Sequence, residues 1–255
     1  MEGLKHKVIV FAGAGGIATA TAELLGAGGA HIVVGDIVLE SAERTVKAAT
    51  TAGGDGAATT LDMSDETQVK ALIALAIERY GRIDGVFNVA ANINPAEVAK
   101  DTNVVEIDLD AWQRTIDVNL TGYLLMMRHA IPHLIAAGGG SIVNTSSEAV
   151  YAGMEDKIAY AATKAGVTAL TRHVARKYGK QGVRSNAVSP GLVLTAQTEA
   201  NLPEEFRETI LAMTPAPRNG KPSDIGSTVA FLLSDAAEWI TGQVISVNGG
   251  TTMRP

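Results

Sequence analysis

A chain of 255 residues, 46% hydrophobic and 19% charged, is long enough for one large α/β domain with a generous core. Its formal charge of −6, spread without long runs of one sign, argues against nucleic acid or an anionic membrane as the main partner and leaves small molecules as the default. The lack of cysteine removes disulfides, thiolate chemistry and cysteine-ligated zinc, and suits a reducing cytosol.

The N-terminal segment, 1–7, runs straight into a strand-like stretch and reads as neither signal peptide nor anchor, so a cytoplasmic protein is expected. No apolar stretch reaches the ~18 residues of a membrane span. The first strand is expected over 7–12. Directly after it, Gly13-Ala14-Gly15-Gly16-Ile17-Ala18 opens a helix over 17–28. This is the G-x-G-x-x-A spacing in which glycines let backbone approach a pyrophosphate while the helix N-terminus supplies N–H donors and the positive dipole end. A second strand, 31–36, ends at Asp36, where a carboxylate can accept hydrogen bonds from an adenosine ribose and would repel a 2′-phosphate. Gly15, Gly16 and Ile37 offer no basic side chain to that phosphate, which favours NAD over NADP.

Helix 39–52, strand 57–61, helix 65–80 and strand 85–89 follow. A long helix over 110–137 carries Asn119, and strand 141–145 leads into Ser146 and Ser147. In the next helix, 158–178, Tyr160 and Lys164 lie four residues apart and so share a face. An ammonium held beside a phenol stabilises the phenolate and lowers its pKa from ~10, which fits the pair for acid–base work. Strand 184–188, helix 223–234 and strand 243–247 complete the pattern. Seven buried strands alternating with helices predict a doubly wound, Rossmann-type parallel sheet flanked by helices on both faces, in one domain spanning 1–255.

With these segments in place the chain resembles the short-chain dehydrogenase/reductase family over nearly its whole length. The matching stretches are Asp62-Met63, Asn88-Val89-Ala90-Ala91, Gly140 through Ser147, Tyr160-x-x-x-Lys164 and Pro190-Gly191-Leu192-Val193-Leu194-Thr195. Near the C-terminus Ile240-Thr241-Gly242-Gln243 and Val247-Asn248-Gly249-Gly250 also resemble it. The resemblance implies Tyr160 as general acid/base, Ser147 as hydrogen-bond partner of the reacting oxygen, Lys164 as tuner of Tyr160 and ligand of the nicotinamide ribose, and Asn119 as holder of a relay water. It further implies that Asp62 and Met63 meet the adenine, and that Asn88 and Ala90 line the loop near the ribose. The segment starting at Pro190-Gly191 would bring Val193 and Thr195 to the nicotinamide carboxamide. Substrate would be walled by Asn92, Ile93, Val150, Tyr151 and Met154, and by a substrate-binding segment at about 192–220. These mostly apolar residues suggest a moderately hydrophobic, alicyclic or steroid-like secondary alcohol or its ketone. Because the family pairs its long helices between subunits, a homotetramer or homodimer is expected.

Two departures from the family stand out. The usual T-G-x-x-x-G-x-G loop is here one residue shorter and lacks the last glycine, and the usual N-N-A-G is Asn88-Val89-Ala90-Ala91. Neither touches the acid–base set. The alternatives are an NADPH-linked 3-oxoacyl-carrier reductase, opposed by Asp36 and by the missing basic residues, and a catalytically silent dinucleotide sensor, which has no need of the tyrosine–lysine pair. A sugar-nucleotide epimerase would require a larger C-terminal domain than the chain after Pro190 allows. His129 and His133 have a spacing that can bind a metal, but without a third ligand and with Pro132 disturbing the helix they read as surface or interface residues. Leu124, Leu125, Met126 and Met127 read as core. Glu148, beside Ser147, reads either as a group facing substrate or as an exposed loop charge.

Overall fold

The computed structural model describes residues 3–253; of the segment 1–7 read above, Met1 and Glu2 lie outside the described residues. Seven strands form one parallel sheet: β1 (Val8–Ala12), β2 (His31–Asp36), β3 (Asp55–Thr60), β4 (Gly85–Asn88), β5 (Gly140–Thr145), β6 (Val183–Pro190) and β7 (Val244–Val247). Their order is β3-β2-β1-β4-β5-β6-β7. The connections therefore run outward in opposite directions from the β1–β4 pair, which opens a crevice at the carboxyl ends of these two strands.

Alternation along the strands supplies both cores. In β1, Val8, Val10 and Ala12 point into one apolar cluster, while Ile9 and Phe11 point into the other. The first cluster is covered by α3 (Glu66–Tyr80), α6 (Gly122–Ala136) and α8 (Ile158–Tyr178). The second is covered by α1 (Gly16–Ala27), α2 (Leu39–Thr51) and α11 (Pro222–Leu233). With both faces sealed, the central strands β1 and β4 are buried throughout, whereas the edge strands β3 and β7 are only partly buried, so the expectation of seven buried strands fails at the two edges. No described helix is long and apolar enough to cross a membrane.

Several boundaries differ from the sequence reading. Residues 110–137 form α5 (Leu109–Ile116), a π-helical turn (Asp117–Thr121) and then α6, because the helix widens by one residue around Asn119. Pro132 does not interrupt α6, which runs through it to Ala136. The stripe read as core is split: Met126 and Met127 are buried, Leu125 packs at the edge, and Leu124 is exposed. Strand β6 continues to Pro190, a position at a strand end where the missing N–H costs little. Short helices α4 (Pro95–Val98) and α7 (Ala149–Ala152) fill loops, and the 192–220 segment holds α9 (Ala196–Asn201) and α10 (Glu204–Met213).

Candidate active site

The crevice begins at the glycine loop. Gly13 has φ 105°, and a Cβ there would come within 2.5 Å of the Ala90 backbone nitrogen, so only glycine lets β1 and β4 close up at this point. Gly15 has φ 112°, yet nothing lies within 4 Å of where its Cβ would stand. Backbone forced into this conformation in front of open space is what a pyrophosphate cradle needs. Helix α1 starts at Gly16 and Ile17 with no side-chain cap and no acidic residue in its first turn. Its positive end and first amides are thus left for an anion. Asp36 lies at the far side of the loop, where its carboxylate accepts from Ala14 N at 2.7 Å and from Val38 N at 2.9 Å. The residues after it, Ile37, Val38 and Leu39, are exposed and apolar. Cradle and uncapped helix together fit a dinucleotide, with the Asp36 carboxylate at the far side of the loop.

The other cofactor candidates have mixed surroundings. Asp62 accepts from Ser64 N and Oγ at 2.9 and 2.7 Å and from Arg114 Nη2 at 3.0 Å. Burial acts to raise this carboxyl, but the Ser64 and Arg114 bonds outweigh it and hold it below its ordinary value. Met63 buries its side chain in the core, which leaves its backbone to meet a ligand. Asn88 is fully buried and donates to Asn144 Oδ1 at 2.8 Å, while Asn144 donates to Thr171 Oγ1 at 2.9 Å. Its amide thus begins a polar ladder from β4 through β5 to α8. Ala90 N donates to Ala12 O at 2.8 Å, beside the glycine loop. After Pro190, Gly191 N donates to Val247 O, Val193 is buried and bridges to Gly220, and Thr195 caps α9 through a bond from Thr198 N at 3.1 Å.

Strand β5 and helix α8 bring the acid–base candidates together. Ser146 is buried and donates to Lys164 O at 3.3 Å, fixing the end of β5 against α8, whereas Ser147 is partly exposed and hydrogen-bonds the Tyr160 phenol. Ser147 is therefore the serine available to a substrate oxygen. Lys164 is 1% exposed, donates from Nζ to Thr145 O at 2.8 Å, and lies 5.6 Å from the Tyr160 ring centroid. Asn119, in the π turn, accepts from Asn92 N at 2.7 Å through Oδ1, and its buried Nδ2 has no protein partner. An orphaned donor at that depth is suited to a water.

Electrostatics complicate the simple lysine–tyrosine picture. Burial pushes the Tyr160 phenol up, and the Ser147 hydrogen bond acts against that rise. Burial also lowers the Lys164 ammonium to about 7. The lowering expected for Tyr160 from the four-residue spacing is thus overridden by desolvation, since neither charged form is well solvated in this wall of the crevice.

Three residues near the site escaped the sequence reading or change it. Tyr123, four residues after Asn119 and so on the same helical face, is fully buried. It donates to Ala90 O at 3.0 Å, accepts from Lys164 Nζ at 3.4 Å, and presents its ring 5.1 Å from that ammonium. Burial, followed by the nearby Tyr160, pushes its own phenol far up, so it stays protonated. Asp101 reaches α8 from a remote loop. Glu148 is half-buried and hydrogen-bonded to Thr252, and its carboxyl is raised by burial, so it is not an exposed loop charge. On the substrate side, Asn92 is held by Asn119, Val150 lies in α7, and Met154 is 43% exposed. His129 shares a hydrogen bond with Glu66 at 2.8 Å on the outer surface of α3 and α6, away from this site.

Known proteins resemble this chain over nearly its whole length. The family model described as enoyl-(acyl carrier protein) reductase, a short-chain dehydrogenase model, matches residues 12–252. A cis-4-hydroxycyclohexanecarboxylate dehydrogenase of Sinomonas cyclohexanicum is 39% identical, with 98% of each chain covered. A 3-oxoacyl-[acyl-carrier-protein] reductase of Thermotoga maritima is 36% identical over 97% of this chain and 98% of its own. Among solved structures, a short-chain type dehydrogenase/reductase from Mycobacterium ulcerans superposes with a TM-score of 0.89 at 29% identity, covering 97% of this chain and 90% of that one. A seven-stranded parallel sheet, a glycine cradle at its crevice and a Ser147–Tyr160–Lys164 cluster beside it, matched end to end by such relatives, mean that the chain belongs to the short-chain dehydrogenase/reductase family.

Proposed function

We propose that this protein is an NAD-dependent oxidoreductase that interconverts a secondary alcohol and its ketone, with an alicyclic or steroid-like substrate. The observation that carries the reading is the meeting of Ser147, Tyr160 and Lys164 at the mouth of a crevice with a glycine cradle and Asp36. Bound NAD supplies the hydride acceptor for alcohol oxidation and, in reduced form, the hydride donor for ketone reduction. Ser147 donates a hydrogen bond to the reacting oxygen, and the Tyr160 phenolate takes the hydroxyl proton as the carbonyl forms. As Tyr160 ionises, its phenolate favours the charged form of Lys164 and is stabilised by it in turn, while the buried Nδ2 of Asn119 holds a water that carries the proton on. In reduction the same proton runs back from the Tyr160 hydroxyl to the alkoxide.

The substrate class follows from what surrounds the site. Ile93 and Met154, which the family resemblance brings to the substrate, are exposed and apolar, and Val150 in α7 adds a third apolar side chain. The similarity to a dehydrogenase named for a cyclohexane alcohol points the same way. The similarity to an oxoacyl-carrier reductase favours a second reading, reduction of a thioester-linked ketone. Asp36 and the apolar 37–39 stretch weigh against a coenzyme carrying a 2′-phosphate, and hence against an NADPH-linked form of that reaction.

Cofactor choice is directly measurable. A carboxylate facing a 2′-phosphate sets two negative charges against each other at close range, so NAD should bind at least about tenfold more tightly than NADP, or ~1.4 kcal/mol. Asp36→Ala should close most of that gap. Titration of both oxidised cofactors against protein fluorescence checks this, and equal affinities in the parent would refute the NAD assignment. Assembly is equally open to test. Leu124, Val104, Val105 and Leu109 leave apolar surface uncovered on and before α5 and α6, and Trp239 is 96% exposed. Burying these residues between copies predicts a homotetramer or homodimer in light scattering at micromolar concentration. A monomer there would contradict it.

A further inference from the structure

The catalytic helix α8 has no cap of its own. Its first residue follows Lys157, which sits in the left-handed region at φ 66°, caps nothing with its side chain, and is followed by no acidic residue in the first turn. A helix end of this kind leaves its leading N–H groups unpaired unless something else accepts from them. Here another segment does. Asp101, only 5% exposed, accepts from Ala159 N through Oδ1 at 2.8 Å and from Tyr160 N through Oδ2 at 2.9 Å. Its carbonyl oxygen accepts from Lys157 N at 2.9 Å, and Thr102 O accepts from Ile158 N at 3.4 Å. Four successive amides, 157–160, are thus held by two residues of the loop that follows β4.

The other end of the same loop holds a second site residue, since Asn92 N donates to Asn119 Oδ1 at 2.7 Å. We propose that Asp101 is a positioning residue: it fixes the Tyr160 backbone from outside α8, so that the 92–101 segment braces Asn119 and Tyr160 in register with one another. This inference rests on Tyr160 being the acid/base group. A carboxylate suits the task because it offers two acceptor oxygens side by side and carries the charge that a helix N-terminus favours. Its effect on chemistry comes through geometry, because small misplacements of a proton-transfer group cost far more in rate than in binding.

The test uses full-length Asp101→Asn and Asp101→Ala proteins, alone and combined with Tyr160→Phe, assayed for alcohol oxidation with NAD. Asp101→Asn keeps one acceptor oxygen and should lower kcat by about tenfold, and Asp101→Ala, keeping none, by about a hundredfold. KM for the alcohol and the dissociation constant of NAD should stay within about twofold, since the Asp101 carboxylate is buried and both its oxygens are taken by α8 amides. In the Tyr160→Phe background, where no phenolic proton is left to position, Asp101→Asn should cost nothing further. Unchanged kcat in folded Asp101→Asn would overturn the proposal, as would a loss of equal size in both backgrounds, which is the signature of general loosening. If Asp101→Ala fails to fold, the Asn variant and its double mutant decide alone. Near-parent turnover by Tyr160→Phe itself would instead show that the acid–base reading fails, and with it the ground for this one.

Discussion

Tyr160→Phe should lower turnover by roughly 10² to 10⁴, the usual worth of a positioned acid–base group, while NAD still binds and the fold persists. The substitution keeps the ring at the mouth of the crevice and removes only the hydroxyl that Ser147 engages. Steady-state kinetics on a secondary alcohol that the parent oxidises, with cofactor binding measured separately, checks it. A matching fall in kcat and kcat/KM is expected, because the proton moves only in the transition state. Near-normal turnover would mean that the hydroxyl has no part in the chemistry.

Lys164→Met should act on rate and stability in opposite directions. The Lys164 ammonium is lowered to about 7 by burial, against an ordinary value of 10.5. Below pH 7 both folded and unfolded chains carry the proton, and the folded state bears the whole cost of burying the charge. Between pH 7 and about 10.5 the unfolded chain binds more protons than the folded one, so stability of the parent rises with pH and the cost fades. Methionine removes that cost, so the variant should melt at higher temperature than the parent, by an amount worth a few kcal/mol at acidic pH that shrinks through this window. The bond to Thr145 O and the contacts with the Tyr123 and Tyr160 rings are lost in exchange and reduce the gain. Activity should fall, with the alkaline-rising limb of alcohol oxidation moved upward, because an ammonium at Lys164 and a phenolate at Tyr160 each stabilise the other's charged form when both are present, and methionine cannot take that part. Calorimetry across pH 6 to 10 reads the first effect, and the pH–rate profile the second. A variant less stable than the parent at every pH would show that Lys164 is held by compensating interactions.

How much of this was legible in the sequence follows from the range of the interactions concerned. Strand and helix positions rest on local apolar runs, so all seven strands were found, with ends displaced by a residue or two as at Asp55–Thr60. The glycine cradle, Asp36, Ser147, Tyr160 and Lys164 also lie in short patterns whose spacing carries their chemistry. The π turn at Asp117–Thr121 leaves the apolar periodicity of a long helix nearly intact, which hid it. Helices α9 and α10 bury no residue fully, so they lack the apolar stripe that marks a core helix. Tyr123 could have been found, being one helical turn beyond Asn119. Asp101 could not, because its bonds to α8 span 58 and 59 residues of chain and exist only once β4, β5 and α8 have been assembled. The spacing of Tyr160 and Lys164 carries only their mutual attraction, whereas the desolvation that raises the Tyr160 phenol arises only in the assembled crevice.

The most direct test of the central claim is the rate at which purified protein converts a panel of secondary alcohols, cyclohexanols and hydroxysteroids among them, with NAD and with NADP, followed by absorbance of the reduced cofactor. Formation of reduced NAD with at least one alicyclic alcohol, at a kcat/KM clearly above that with NADP, is the predicted result. Turnover confined to thioester-linked ketones with NADPH, or no turnover of any alcohol or ketone with either cofactor, would contradict it.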